Sequence, residues 1–373
     1  MASQGSTDLD ILATACSMKR LRAYGYSNEA AITAASFYGH TLERALCLAT
    51  DLRVLCWYWP NGDKIIFPVN SNGSVYIGNS PEFWFDCYPF LRREGAHNVY
   101  RCDLDVLPSK RQHRLLLNKA PIYIGGQTHF GHFVVDKIAH LCTLFSRSLT
   151  EIDFGALIIP PGHKGITNDL LCFLHSMLHP SESQALSDGL KEYPSYELPC
   201  VNGIASIGIA WVPSDNHRPD SIRILNKLLY QSDLASKYAF ANPVNCYPLR
   251  SKAVYISRFP GNSRHHDRIA NFIDFKSLLD HLGVDHLFPT PYSLQERIQI
   301  LSQYDLIISD SGSCSLNGLL FARPDAHIYQ IQGRRLLNDS SPLATSQLYK
   351  ILPLIGSRLF SLNCEPAAYS DAN

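Results

Sequence analysis

Between Lys252 and Ile331, short apolar runs rich in β-branched residues alternate with stretches of helical periodicity. Such alternation admits few folds, because each helix has to cross and cover a sheet whose strands therefore run parallel. Two features stand at strand ends. Arg258 closes the strand Val254 to Ser257, and the small-residue turn Ser309-Asp310-Ser311-Gly312-Ser313 leaves the strand Leu306 to Ile308 to enter a helix near Ser315 to Phe321. Ligands of open α/β sheets sit beyond the carboxyl ends of the strands. A helix N-terminus offers unpaired N–H groups and a partial positive charge, which suits phosphate. A guanidinium nearby suits it further, since its fork matches phosphate oxygens. This half reads as a nucleotide-diphosphate site.

At 373 residues, two or three domains are expected. With 46% hydrophobic and 18% charged residues the chain reads as soluble and globular. Formal net charge is zero, so no basic field points to nucleic acid. The 11 cysteines are scattered, odd in number and free of any C-x-x-C pair, which disfavours a disulfide framework or a zinc ribbon. Reduced thiols fit a cytoplasmic setting. The polar, acidic start is no signal peptide, and no apolar run approaches the roughly 18 residues of a membrane span. Peripheral association at the inner face of a membrane is compatible with all of this.

In chain order, residues 9–50 are helical in pattern, with N-cap entries at Ser27-Asn28 and Thr41. Residues 52–118 change to short strands separated by Asn61-Gly62 and Asn72-Gly73, a strong hairpin signal. An α/β rhythm begins at Pro121 and a second at Lys252. The expected domains are a helical and antiparallel β extension over 1–118, a Rossmann-like domain over 119–245, and a second Rossmann-like domain, holding the diphosphate site, over 246–340. Residues 341–373 read as a helix returning to the first domain, then a tail. The fold class is α/β, with two Rossmann-like domains facing a cleft.

The motifs from Pro121 to Ile331 resemble glycosyltransferase family 61, whose members include N-acetylglucosaminyltransferases, plant xylan-decorating enzymes and bacterial capsule or exopolysaccharide transferases. VYISR at Val254 to Arg258 resembles the family's strand ending in Ser-Arg. Arg268-Ile269-Ala270-Asn271 resembles its Arg-Ile-Leu-Asn, with Phe272 where a Glu usually follows. SLQERIQILSQYDLIIS resembles its Ser-x-x-Glu-Gln helix and next strand; Glu296 keeps the acid and Arg297 replaces the Gln. SGSCSLNGLLF resembles its glycine turn, aligning Gly312, Leu316, Asn317 and Phe321, with Ser311 where a His is frequent. GHFVVDKIAHL resembles its His-Phe/Trp-x-x-Asp helix, with His132 and Asp136 in place.

The resemblance implies the two-lobed GT-B architecture, a nucleotide-sugar donor (a UDP-sugar), a glycan acceptor and a role in polysaccharide biosynthesis. His132 and Asp136 share a helical face, and inverting transfer needs a base for the acceptor hydroxyl proton, so His132 is the expected base and Asp136 its orienting partner. Gln127 and His129, in the loop just before, are expected to bind acceptor. Arg258 is the expected cation for the leaving diphosphate, assisted by Arg264 and Arg268. Ser311, Gly312 and Ser313 would cradle phosphate, with Asn317 one turn on. Glu296 either accepts ribose hydroxyls or simply starts its helix as a first-turn acid. The series His129, His132, Asp136, His140 could be drawn as a metal site, but one helix rarely supplies a whole one. Asp8 with Asp10 and Asp103 with Asp105 have a spacing common by chance, so no metal and no cofactor are expected. Closure of the cleft would exclude water and prevent donor hydrolysis. Two rivals remain at this point: a carbohydrate-binding scaffold derived from a transferase, and a Rossmann-type enzyme of another class. The second expects a G-x-G-x-x-G turn that Gly125-Gly126 does not supply.

Overall fold

The structure, a computed structural model, describes residues 46–58, 64–69, 74–76, 91–93, 99–102, 112–114, 120–124, 126–127, 130–138, 157–159, 165–178, 195–197, 203–213, 221–231, 252–257, 269, 271–333, 354 and 358–364. Two compact units divide the chain: residues 41–221 form one, and residues 1–40 with 222–373 the other.

In the first unit the described strands are β1 (Leu46–Tyr58), β2 (Lys64–Val69), β3 (Ser74–Tyr76), β4 (Leu91–Arg93), β5 (Val99–Cys102) and β6 (Gln112–Arg114), then β7 (Ile122–Tyr123), β8 (Gly126–Gln127), β9 (Leu157–Ile159), β10 (Ser195–Glu197) and β11 (Gly203–Pro213). They make one mixed sheet in the order β10-β9-β7-β11-β1-β2-β3-β5-β4, with β6 also on β11 and β8 on β2. Pairing is parallel from β10 to β11 and antiparallel from β11 to β4. The hairpin strands around Asn61-Gly62 do pair antiparallel, Tyr58 opposite Lys64. Along one strand sequence the reading changes: Leu46 to Thr50, assigned to a helix by its local pattern, opens β1 instead. This strand is bonded to β11 along much of its length and to β2 over its second half. Pairing on two edges outweighs the mild helical preference of Leu and Ala.

Val54, Leu55, Ile66, Ile122 and Ile158 are buried residues of this sheet, and Tyr123 donates its hydroxyl to the Ile66 carbonyl at 3.1 Å. A short helix α1 (Phe130–Phe133) runs directly into a π-helical segment, Val134–Ile138. Phe133, Val134 and Ile138 are fully buried. Helix α2 (Ile166–Leu178) adds Leu170, Leu171, Phe173 and Leu174 to the core.

The second unit carries the parallel sheet expected from the alternation. It comprises α3 (Ser221–Gln231, in this unit from Ile222), β12 (Ala253–Ile256), α4 (Phe272–His281), β13 (Asp285–Leu287) and α5 (Leu294–Leu301), then β14 (Leu306–Asp310), α6 (Ser313–Phe321), β15 (His327–Gly333) and β16 (Leu359–Cys364). The sheet order is β13-β12-β14-β15-β16, every pair parallel. Strand β16 was not foreseen; it lies beyond the segment read as a returning helix.

Local chemistry explains the punctuation. Helix α4 ends at Gly283, whose φ of 70° is the left-handed value glycine takes without cost. Gly283 N donates to Asp280 O at 3.1 Å and Val284 N to Leu279 O at 2.9 Å, the paired bonds of a Schellman ending. Helix α5 opens with a capping box between Ser293 and Glu296. Phe272 and Phe275 of α4 meet Tyr255, whereas Gly318 of α6 lies against Ile307 and Ile328. Tyr255 pairs with Ile308, and neighbouring residues of a strand point to opposite faces, so α4 and α6 cover opposite sides of the sheet.

Helix α6 is buried from Cys314 to Phe321. It approaches the sheet at Gly318, where an added Cβ would stand 3.2 Å from Ile307 Cγ2 and 3.6 Å from two carbons of Ile328. Gly318→Val is therefore expected to destabilise the protein by roughly 1–3 kcal/mol through overpacking. A denaturant midpoint unchanged from wild type would show that the helix has room to withdraw.

Candidate functional site

In chain order the sheet of the second unit reads second, first, third, fourth, fifth, so its topological switch point lies between β12 and β14. Doubly wound sheets bind ligands in the crevice beyond the carboxyl ends at such a point. Here those ends are Ser257, just past β12, and Asp310, the last residue of β14. The register Ile256 to Ser309 brings the two strands out side by side.

Two polar contacts organise this edge. Tyr255 donates its hydroxyl to Asp310 Oδ1 at 2.7 Å, joining the strands across the switch point. Burial, then the Asp310 carboxylate, pushes the Tyr255 phenol well above its ordinary pKa, so it remains a donor. Ser257 Oγ and His286 Nε2 lie 2.5 Å apart, tying the end of β12 to β13. The His286 ring also stacks near Phe288, with centroids 4.5 Å apart, and near Tyr255 at 5.2 Å.

Burial lowers the His286 pKa below the ordinary histidine value, with Lys276 adding to the effect. A base with a depressed folded pKa binds protons more tightly when unfolded, so its neutral form favours the fold. Stability is then expected to hold above pH ~6.5 and to fall as pH drops through the unfolded value toward the folded one. Melting curves between pH 5 and pH 7.5, set against those of His286→Phe, check this: the variant should lose that part of the acid dependence.

The turn into α6 has a defined geometry. Ser311 N donates to Ile331 O at 3.2 Å. Gly312, the N-cap, has φ 91° and ψ −132° and lends no side chain to the helix. Ser315 Oγ donates to Gly312 O at 2.8 Å, and Asn317 Nδ2 to Ser313 O at 2.7 Å. Gly312 thus supplies no side-chain cap, and the first turn of α6 stands at the switch point. That arrangement can hold a phosphate.

Of the residues singled out in the sequence, Ser311, Gly312, Ser313 and Asn317 come together at this turn. Glu296 stands at the start of α5, where its Oε2 accepts from Ser293 N and Ser293 Oγ, both at 2.8 Å; this is the helix-starting geometry. Arg258, Arg264, Arg268 and His129 lie outside the described residues, though Arg258 directly follows Ser257 in the chain. Gln127 is in β8, paired to Ile65, His132 is in α1 and Asp136 in the π-helical segment. The side chains of these last three lie outside the described residues.

Sequence reasoning passed over Asp310, Tyr255 and His286. The available signal was position: Tyr255 and Asp310 lie on the two strands that end at the switch point, and His286 on the strand beside β12.

The model of the family described as Glycosyltransferase 61 matches residues 130–329, more than half of the 373 residues. The chain belongs to glycosyltransferase family 61. No curated protein gives a significant match. The family-61 stretch begins with α1 and closes in β15, so it contains His132, Asp136 and every residue of the switch-point edge, while β1 to β8 lie outside it. Family membership makes the protein a glycosyltransferase, an enzyme with a sugar donor and an acceptor. No helix among the described residues is long and apolar enough to cross a membrane.

Proposed function

We propose that this glycosyltransferase inverts configuration at the anomeric carbon, takes a UDP-sugar as donor and a glycan hydroxyl as acceptor, and acts in polysaccharide biosynthesis. The observation that carries the reading is the placement of the start of α6, entered through the positive-φ Gly312, at the β12/β14 switch point. The donor diphosphate lies on the Ser311-Gly312-Ser313 turn, and Arg258, next after Ser257, is the cation beside it. As the bond between the anomeric carbon and the phosphate oxygen breaks, negative charge grows on the diphosphate. Fixed N–H dipoles and a guanidinium stabilise that charge most in the transition state.

His132 takes the proton of the acceptor hydroxyl as its oxygen bonds to the anomeric carbon. Asp136 orients that histidine or the acceptor, and Gln127 and His129 contribute to acceptor binding. Glu296 is the candidate for the ribose hydroxyls. No metal takes part, and the enzyme is of the GT-B type, working on the cytoplasmic side.

Titration with UDP, followed by calorimetry and thermal melting, tests the donor site. Binding that shifts the melting temperature upward, survives a chelator and is lost in Arg258→Ala is the expected result. Full-length protein that shows no response to any nucleoside diphosphate would sink the reading. The anomeric configuration of the product, read by NMR, decides inversion.

A further inference from the structure

Arg297 is 5% exposed, yet its guanidinium spans three segments of the second unit. Its Nε donates to Tyr292 O at 2.9 Å and one terminal nitrogen to Thr290 O at 3.4 Å, both in the segment that follows β13. The other terminal nitrogen donates to Asn317 Oδ1 at 2.6 Å. The guanidinium carbon sits 5.9 Å from the centroid of the Phe321 ring, also on α6. Asn317 carries the connection on, since its Nδ2 donates to Ser313 O in the first turn of the helix.

An unbroken series of hydrogen bonds therefore runs from the carbonyls of Thr290 and Tyr292, through Arg297 and Asn317, to Ser313. Both of its ends lie at the carboxyl edge of the sheet. Arg297 itself is fixed in place by the neighbouring capping box, which holds the start of α5. We infer that Arg297 is a positioning residue that sets the first turn of α6 in register to receive the donor diphosphate; the inference rests on the donor reading given above.

Two physical arguments support the assignment. Taking a guanidinium out of water is costly unless its N–H groups are bonded, so a buried Arg with acceptors on several segments holds those segments at fixed separation. Phosphate capture by backbone N–H groups depends steeply on geometry, and a displacement of about 1 Å can cost on the order of 100-fold in rate. A planar fork meets carbonyls and an amide at set angles; an ammonium group does not reproduce this. Asn317 then acts through its side-chain bonds inside the protein as much as through any contact with ligand.

The test uses the full chain and the variants Arg297→Lys, Arg297→Gln and Asn317→Ala. Hydrogen exchange is read on the unliganded proteins, and UDP affinity well below each melting temperature. Arg297→Gln and Arg297→Lys are expected to lose amide protection both at Thr290, Tyr292 and Ser293 and in residues 313–317. Asn317→Ala, which leaves the bonds to Thr290 and Tyr292 intact, should loosen 313–317 alone. All three should bind UDP at least about tenfold more weakly.

A merely structural Arg297 would lower the melting temperature and leave the affinity of the folded fraction unchanged; that outcome in Arg297→Lys and Asn317→Ala overturns the inference. Unchanged protection at 313–317 overturns it as well. Wild-type protein that binds no nucleoside diphosphate overturns the donor reading and, with it, the purpose assigned to the brace. The exchange pattern separates that failure from absence of the brace itself.

Discussion

Arg358→Met is expected to destabilise the protein by roughly 3–5 kcal/mol, beyond the usual range for a point substitution. The reason lies at the C-terminus of α6, where the last carbonyls of a helix have no partner within it. In this protein, side chains supply those partners. Arg358 donates to Leu319 O at 3.0 Å, Ala322 O at 3.1 Å, Arg323 O at 2.8 Å and Gly318 O at 3.4 Å. Asn226 Nδ2 donates to Leu320 O at 2.7 Å and Ala322 O at 2.9 Å, and Tyr230 donates its hydroxyl to Phe321 O at 2.7 Å. Arg358 also reaches Asn226 Oδ1 at 3.2 Å, so the two donors brace each other.

Burial pulls the Arg358 pKa down to about 10, which still leaves a cation at neutral pH, placed where the helix dipole favours one. Burial pushes the Tyr230 phenol upward, so it stays protonated and donates. Methionine would fill the space of the stem and take from Leu319 O, Ala326 O and Asn226 Oδ1 the donor that Arg358 supplies, each buried acceptor left unsatisfied costing about 1–3 kcal/mol before relaxation. Chemical unfolding followed by circular dichroism measures the loss. Arg358→Lys should recover the charge but not the spread of donors, and fall between the two. A change below about 1 kcal/mol in Arg358→Met would mean that water replaces the guanidinium without penalty.

Neither Arg358 nor Asn226 announces this role in the sequence, because they lie 132 residues apart and no periodic pattern joins them. The same limit hid Arg297, whose amide partner is 20 residues away on another helix. By contrast, β12 to β15 with α4, α5 and α6 were legible because their signals are local. β12, β14 and β15 are short runs with β-branched residues, Gly283 ends one helix, and Ser293 with Glu296 begins another. Strand β16 and the first residues of β1 were missed for the opposite reason. Their strand character comes from the neighbours they pair with, Leu359 with Ile328 and Leu46 with Pro213. In the site, the Ser311 to Ser313 turn was visible as small residues between a strand and a helix. The Tyr255–Asp310 and Ser257–His286 bonds were not, since each needs the register of two strands.

Gly312→Ala is the substitution expected to separate donor binding from folding most sharply. With φ 91° and ψ −132°, Gly312 occupies a backbone region that residues with a Cβ rarely enter. Forcing alanine there costs about 1–3 kcal/mol, or else the turn rotates to avoid it. Rotation is opposed on both sides: Ser311 N is bonded to Ile331 O, and Gly312 O accepts from Leu316 N at 3.1 Å and from Ser315 Oγ at 2.8 Å. Whichever response wins, the N–H groups of Gly312 and Ser313 no longer lie as they do in the native turn. UDP affinity should fall at least about tenfold, equivalent to about 1.4 kcal/mol, and donor turnover with it.

Gly283→Ala is the matched control. Gly283 also has a positive φ, 70°, and a Cβ added to it meets nothing within 4 Å, so alanine there carries backbone strain alone, at the end of α4. Both variants should melt at lower temperature, and only Gly312→Ala should lose UDP. Equal loss of affinity in the two would trace the effect to general loosening of the unit. Full affinity in a folded Gly312→Ala would remove the turn from the donor site, whatever sugar the enzyme transfers.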